Sequence, residues 1–225
     1  ANYNTSASSN APHTVSGAAT TTAISNSVAL SGAASVAGQS YSVSANVTVT
    51  SPGTGTPTGT VNVSDGTGGT CSITLSGGSG SCNLTSTTAG AKTLTATYAG
   101  DSSFNTSNGT ASHTVNKAST TLSSLTDAPD PSVVGQPYTV GFTLNVTSPG
   151  AGTPTGTVSV NDGAGGSCTA TLPATSCQLT STVAGNKTVT FTYNGDANFN
   201  ASPSNTAGHG VNQATTTVAI KIGRA

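Results

Sequence analysis

Histidine, aspartate and cysteine are the side chains in this sequence with the chemistry for catalysis or ligation. The three histidines each begin a segment of one kind: His13-Thr14-Val15, His113-Thr114-Val115 and His209-Gly210-Val211. An imidazole can act as base or ligand near neutral pH. These three recur at one repeated position, however, so in an extended chain they lie a unit apart and cannot share a site. They read as structural. All six acids are aspartates, at 65, 101, 127, 130, 162 and 196. Asp65 and Asp162 each close a strand in an Asp-Gly turn. Asp101 and Asp196 follow a glycine in a turn, where their carboxylates are expected to accept backbone N–H groups. Lys92 and Lys187, also repeated, are as readily solvated as paired with an aspartate. Asp127 and Asp130 stand apart, since the first half of the chain has no counterpart. Calcium needs several oxygen ligands, and these two, with Asp101 as a third, make a weak case. No paired carboxylates, nucleophile elbow with a partnered histidine, or phosphate-binding loop is visible. No catalytic, cofactor-binding or metal residue is therefore expected.

The elements that must position these residues come from an internal repeat. Thr97-Tyr98-Ala99-Gly100-Asp101-Ser102-Ser103-Phe104-Asn105 returns as Thr192-Tyr193-Asn194-Gly195-Asp196-Ala197-Asn198-Phe199-Asn200, and a clipped form opens the chain as Ala1-Asn2-Tyr3-Asn4. Thr50-Ser51-Pro52-Gly53 recurs 97 residues on, but Tyr98 only 95 residues on. The missing pair falls where Leu75–Cys82 shortens to Leu172–Cys177, and a length change is cheapest at a hairpin tip. The units are 18–117 and 118–213. Residues 1–17 read as the closing strand of a preceding repeat, and 214–225 as the opening strand of a following one. Those ends either continue into further repeats, the favoured expectation, or join separate chains by strand donation.

Within a unit, Tyr41–Val49 and Tyr138–Val146 alternate apolar and polar residues in the same phase, the period of a half-buried strand. Val43, Val47, Val61, Leu94 and Tyr98 should face one core, and Val140, Leu144, Val158, Val189 and Tyr193 the other. About seven short strands per unit, with regular turn signals, predict an all-β antiparallel sandwich. No segment shows a helical period. Charged residues are 5% of the chain and the net charge is −1, so there is no electrostatic footprint for nucleic acid. No apolar run approaches the ~18 residues of a membrane helix. With 33% hydrophobic residues, no Trp and no Met, each core must be thin. Cys71 and Cys82 flank the proposed tip in the first unit, and Cys168 and Cys177 in the second. Bridges Cys71–Cys82 and Cys168–Cys177 across that hairpin are expected, and an oxidising compartment with them. Reduced buried thiols are the alternative, and the spacing fits no zinc pattern.

The pattern Thr-Tyr-x-Gly-Asp-x-x-Phe, after Gly-Thr-Pro-Thr-Gly-Thr-Val and Ala-Gly-x-Lys-Thr, resembles the bacterial immunoglobulin-like repeat domain. The stretch 166–177 resembles its disulfide-containing variant. The resemblance spans nearly the whole chain. It implies immunoglobulin-like sandwiches arranged end to end in a large secreted or surface-anchored protein, and it implies no enzyme activity. The expected role is a segment of a bacterial surface stalk or filament, outside the cell, whose partners are neighbouring repeats or copies of itself. The alternative is an adhesin module that binds a surface glycan or a host protein. Such a site should break the repeat symmetry with aromatic or charged loop residues.

Overall fold

The computed structural model describes residues 10, 12–218 and 220. The first unit runs β1 (Thr20–Ile24), α1 (Ser27–Gly32), β2 (Ser35–Val36), β3 (Ser40–Val49), β4 (Thr60–Ser64), β5 (Thr70–Thr74), β6 (Ser79–Thr85), β7 (Gly90–Tyr98) and β8 (Ser107–Asn116). The second runs β9 (Thr120–Ala128), β10 (Ser132–Val133), β11 (Pro137–Val146), β12 (Thr157–Asn161), β13 (Ser167–Thr171), β14 (Ser176–Thr180), β15 (Gly185–Tyr193) and β16 (Asn205–Asn212). Each is a two-sheet sandwich. Sheets β1-β3-β6 and β2-β8-β7-β4-β5 face each other in the first, and β9-β11-β14 and β10-β16-β15-β12-β13 in the second. The pairing is antiparallel, except that the two-residue strands β2 and β10 run parallel to β8 and β16. Of the fragments expected at 1–17 and 214–225, residues 1–9, 11, 219 and 221–225 lie outside the described residues. Residues 12–17 and 213–218 carry no strand.

Strand alternation builds the cores. Val43, Ala45 and Val47 of β3 point inward with Val61, Leu94 and Tyr98, as do Val140 and Phe142 of β11 with Val158, Val189 and Tyr193. Of the ten positions expected to face the cores, all but Leu144 are buried. Leu144 is half-buried beside a shallow apolar groove lined by Phe142, Pro154, Leu172 and Pro173.

Two features differ from expectation. The segment between Cys71 and Cys82 turns tightly at Ser76–Ser79, but its two strands do not pair as a hairpin ladder: β5 pairs with β4, and β6 with β3. The disulfides Cys71–Cys82 and Cys168–Cys177 therefore join the edge strands of opposite sheets. The second feature is helix α1, whose six residues are too few to show a 3.6-residue period. It takes up extra chain. Ala18 and Ala118, which bridge Phe104 and Phe199 alike, are 100 residues apart, whereas Ser35 and Ser132, which pair with Val115 and Val211, are 97 apart. The first unit winds its three additional residues into α1, while the second runs on as β9 to Ala128.

Candidate functional site

Both units carry the same buried polar chain. Asp65 sits in the β4–β5 turn, accepting the Thr67 and Gly69 N–H groups, while the Ser86 hydroxyl donates to it at 2.6 Å. With that proton committed, Ser86 Oγ accepts from Tyr41 Oη at 2.8 Å. Asp162, Ser181 and Tyr138 repeat the arrangement. Gly69 and Gly166 allow it: a Cβ there would meet the aspartate Oδ2 at 2.5 and 2.6 Å and a backbone carbonyl at 2.8 and 2.7 Å. Burial pushes both carboxyls up, but the donated hydrogen bonds outweigh it and hold them below the ordinary value. The sequence by itself shows only an Asp-Gly turn here. The signal was Ser86 and Ser181, polar residues repeated after Leu-Thr next to an apolar strand pattern.

The tyrosine rings carry the chain to the histidines. Tyr41 lies 4.1 Å from His113, tilted by 34°, and Tyr138 stacks on His209 at 3.7 Å and 11°. His113 on β8 contacts the Leu30 carbonyl of α1 through Nδ1 at 2.9 Å, and Ser35 Oγ through Nε2 at 2.9 Å. A carbonyl only accepts, so Nδ1 carries the proton and Ser35 donates to Nε2. His209 on β16 keeps the serine contact, with Ser132 Oγ at 2.8 Å from Nε2. Its Nδ1 faces Asp127 Oδ2 at 2.5 Å instead, with Asp130 Oδ1 3.5 Å away. Asp130 is fixed in turn by the Gly210 N–H at 2.8 Å. The second unit thus has carboxylates where the first has helix α1. His13, before β1, is exposed.

Ser132, His209 and Asp127 are connected in the order of a hydrolase triad, which the sequence did not reveal because His209 lies 77 residues from Ser132 and 82 from Asp127. Ser132 is completely buried and His209 is 2% exposed, so the hydroxyl has no reach to a substrate. The more accessible chemistry is ligation, since Asp127, Asp130 and His209 place donor atoms within 4.8 Å of one another. Asp101 does not join them. Its Oδ1 accepts the Ser103 and Phe104 N–H groups and its Oδ2 accepts from Thr58. The third donor beside Asp127 and Asp130 is His209. Lys92 pairs with no aspartate: buried, it donates to Thr67 and Thr88 hydroxyls. Lys187 donates to the Ala184 carbonyl.

Asp101 and Asp196 perform the expected turn function. At Asp101 the Ser103 N–H contributes most, and its carboxyl falls to about 2. At Asp196 burial raises the value, but the bonds from Thr155, Asn198 and Phe199 prevail and it too falls to about 2. The ordinary value is 3.8. A carboxyl more acidic when folded stabilises the fold above its unfolded value, and that contribution is lost as pH falls through the folded value. Stability followed by circular dichroism should therefore hold from neutral pH to about pH 4 and decline from there to about pH 2. Asp196→Asn should flatten that decline in the second unit, and an unchanged acid limb would contradict it.

The units meet through hydrogen bonds that each use at least one backbone group. Ala151 N–H donates to Ala37 O at 3.1 Å, Ala89 N–H donates to Asn198 Oδ1 at 3.0 Å, and Lys117 Nζ donates to Asp196 O at 2.5 Å. Val36, Ala37 and Val115 of the first unit pack into the core cluster of the second. Gly38 has φ +81°, and a Cβ there would meet Ala151 O at 2.2 Å. Gly135, its counterpart, has the same φ and nothing within 4 Å of a Cβ.

The chain is similar to several solved structures. It is 18% identical to the fibronectin(III)-like modules of CbhA from Clostridium thermocellum, with 90% of this chain and 100% of that one covered and a TM-score of 0.38. It is 16% identical to the Escherichia coli adhesin FdeC, with 85% and 63% covered and a TM-score of 0.34. For the D0-D1 domain of intimin the identity is 15%, the coverage 82% and 96%, and the TM-score 0.27. Likeness at this level says nothing of what the chain binds. No curated protein matches it. Among the described residues no helix is long and apolar enough to cross a membrane. The sequence family described as "Bacterial Ig-like domain (group 3)" matches at 28–116 and again at 125–219. Two tandem sandwiches, each matched by that family over nearly its full length, make this chain a member of the bacterial immunoglobulin-like domains.

Proposed function

We propose that this chain is a segment of an extracellular bacterial stalk or filament, in which stacked immunoglobulin-like units act as a stiff, non-catalytic spacer. The observation that supports it is the junction, where the end of the first unit contributes Val36, Ala37 and Val115 to the second unit's core cluster and backbone groups bond across. Units joined by a free linker would tumble independently. One-sided polar surfaces with few charges and a disulfide per unit suit an oxidising exterior. The domain limits 18–117 and 118–213 belong to this reading, as does assembly with neighbouring repeats or copies of itself.

Residual dipolar couplings test the stiffness. The two units should share one alignment tensor in the native chain and in Gly135→Ala, which carries only the backbone strain of a side chain at φ +81°. Gly38→Ala adds a collision with Ala151 and should split the tensors. Independent tumbling of the native units would end the spacer reading. Antibodies to the chain should label intact, unpermeabilised cells of its source, and labelling only after permeabilisation would refute the exterior location.

A further inference from the structure

We propose that Asp127, Asp130 and His209 bind one borderline divalent transition cation, of the zinc class. Asp127 and Asp130 are the two of the six aspartates without a counterpart in the other unit. The fold brings both to the ring nitrogen of a repeated histidine, so the departure from repeat symmetry converges on one point. His209 Nδ1 and Asp130 Oδ1 are 3.5 Å apart, close to the edge of a tetrahedron whose metal–ligand bonds are about 2.0–2.1 Å. Asp127 Oδ2 is nearer to Nδ1, at 2.5 Å, with a proton between them. The cation takes that proton's place. The neutral ring changes tautomer, Nδ1 giving up its proton to solvent while Nε2 takes one up, and the Asp127 carboxylate moves outward by roughly 1 Å to reach ligand spacing.

The supporting contacts are in place. The His209 side chain is fully buried, stacked on Tyr138. Once Nδ1 is a ligand, the remaining N–H is on Nε2 and donates to Ser132 Oγ, the outer contact that orients a metal-bound imidazole. The Gly210 N–H anchors Asp130. The Asp127 and Asp130 side chains are 15% and 45% exposed, which leaves the cation a way in. One imidazole and two carboxylates suit zinc, whereas calcium takes six or more oxygen ligands. Three protein donors leave one position for water. The first unit is a built-in comparison, because the ring nitrogens of His113 meet a carbonyl and a serine and no carboxylate.

Calorimetric titration of the full chain with zinc chloride near neutral pH tests the site, with calcium chloride in parallel. One saturable zinc site is expected, weakened at least about tenfold by Asp127→Asn and by Asp130→Asn, with no site for calcium. Asp130 is half-exposed, so its variant should keep the native circular dichroism spectrum and report on ligation alone. Nitrogen NMR should show zinc shifting His209 Nδ1 and leaving His113 unmoved. Absence of saturable zinc binding, affinity in either variant unchanged from that of the native chain, or equal shifts at the two histidines would overturn the proposal.

Discussion

Replacing Phe191 by alanine should destabilise the second unit by about 3–5 kcal/mol, the range for emptying a buried aromatic site. Phe191 is fully buried on β15 and meets Phe142 edge-on, at 6.5 Å and 65°. Alanine is not foreign to the fold at this place. The first unit has Ala96 and Ala45 at the matching positions, and Ile73 where the second has Ala170, all of them buried. The two cores distribute their bulk differently over one backbone plan. The single substitution removes bulk from one partner and supplies none from the other, so a cavity remains. For a unit of about 100 residues the melting transition should fall by roughly 12 °C or more. Hydrogen exchange would assign the loss to the second unit, and a loss under about 1 kcal/mol would mean that its core collapses onto the space.

Breaking the disulfides should cost each unit about 2.5–3 kcal/mol, the chain-entropy value for closing loops of this length. The separations are 11 and 9 residues, so the two costs should be nearly equal, the first slightly larger. Against a total stability of about 5–15 kcal/mol for a typical domain, this is a large share for a core without Trp or Met. Urea denaturation of Cys168→Ala with Cys177→Ala, compared with the reduced native chain, separates the bond from its atoms. A midpoint unmoved by both treatments would show that the sheets need no covalent tie.

Much of this was legible in the sequence because strands with one buried face write a two-residue period, and because the chain states it twice. Val43 with Val140 and Tyr98 with Tyr193 could be placed in the cores from phase alone. The turn aspartates Asp101 and Asp196 were legible for a local reason, since the backbone N–H groups on Oδ1 are two or three residues away, whereas Thr58 and Thr155 on Oδ2 are 43 and 41 away. What escaped were contacts between residues far apart in the chain. His209 meets Asp127 across 82 positions, and Ser86 meets Asp65 across 21. Periodicity says which face a residue is on but not what stands opposite. The sheet assignment around Cys71 and Cys82 failed for a related reason: a tight turn looks the same whether its arms pair or part. Helix α1 was hidden by its brevity, with Leu30 its one buried residue.

The parallel pairing of β2 with β8, and of β10 with β16, has a mechanical consequence. Strands that run the same way, one near the start of a unit and one at its end, are drawn past each other when the chain is pulled from both ends. Their hydrogen bonds lie across the line of pull and are loaded together rather than opened in sequence like a zipper. The ladder there is only two residue pairs long. Beside it, however, a serine on the short strand grips a histidine on the long one, Ser35 to His113 and Ser132 to His209. If the chain bears tension as the proposed stalk would, those buried histidines stand as cross-pins at the seam where slippage would begin.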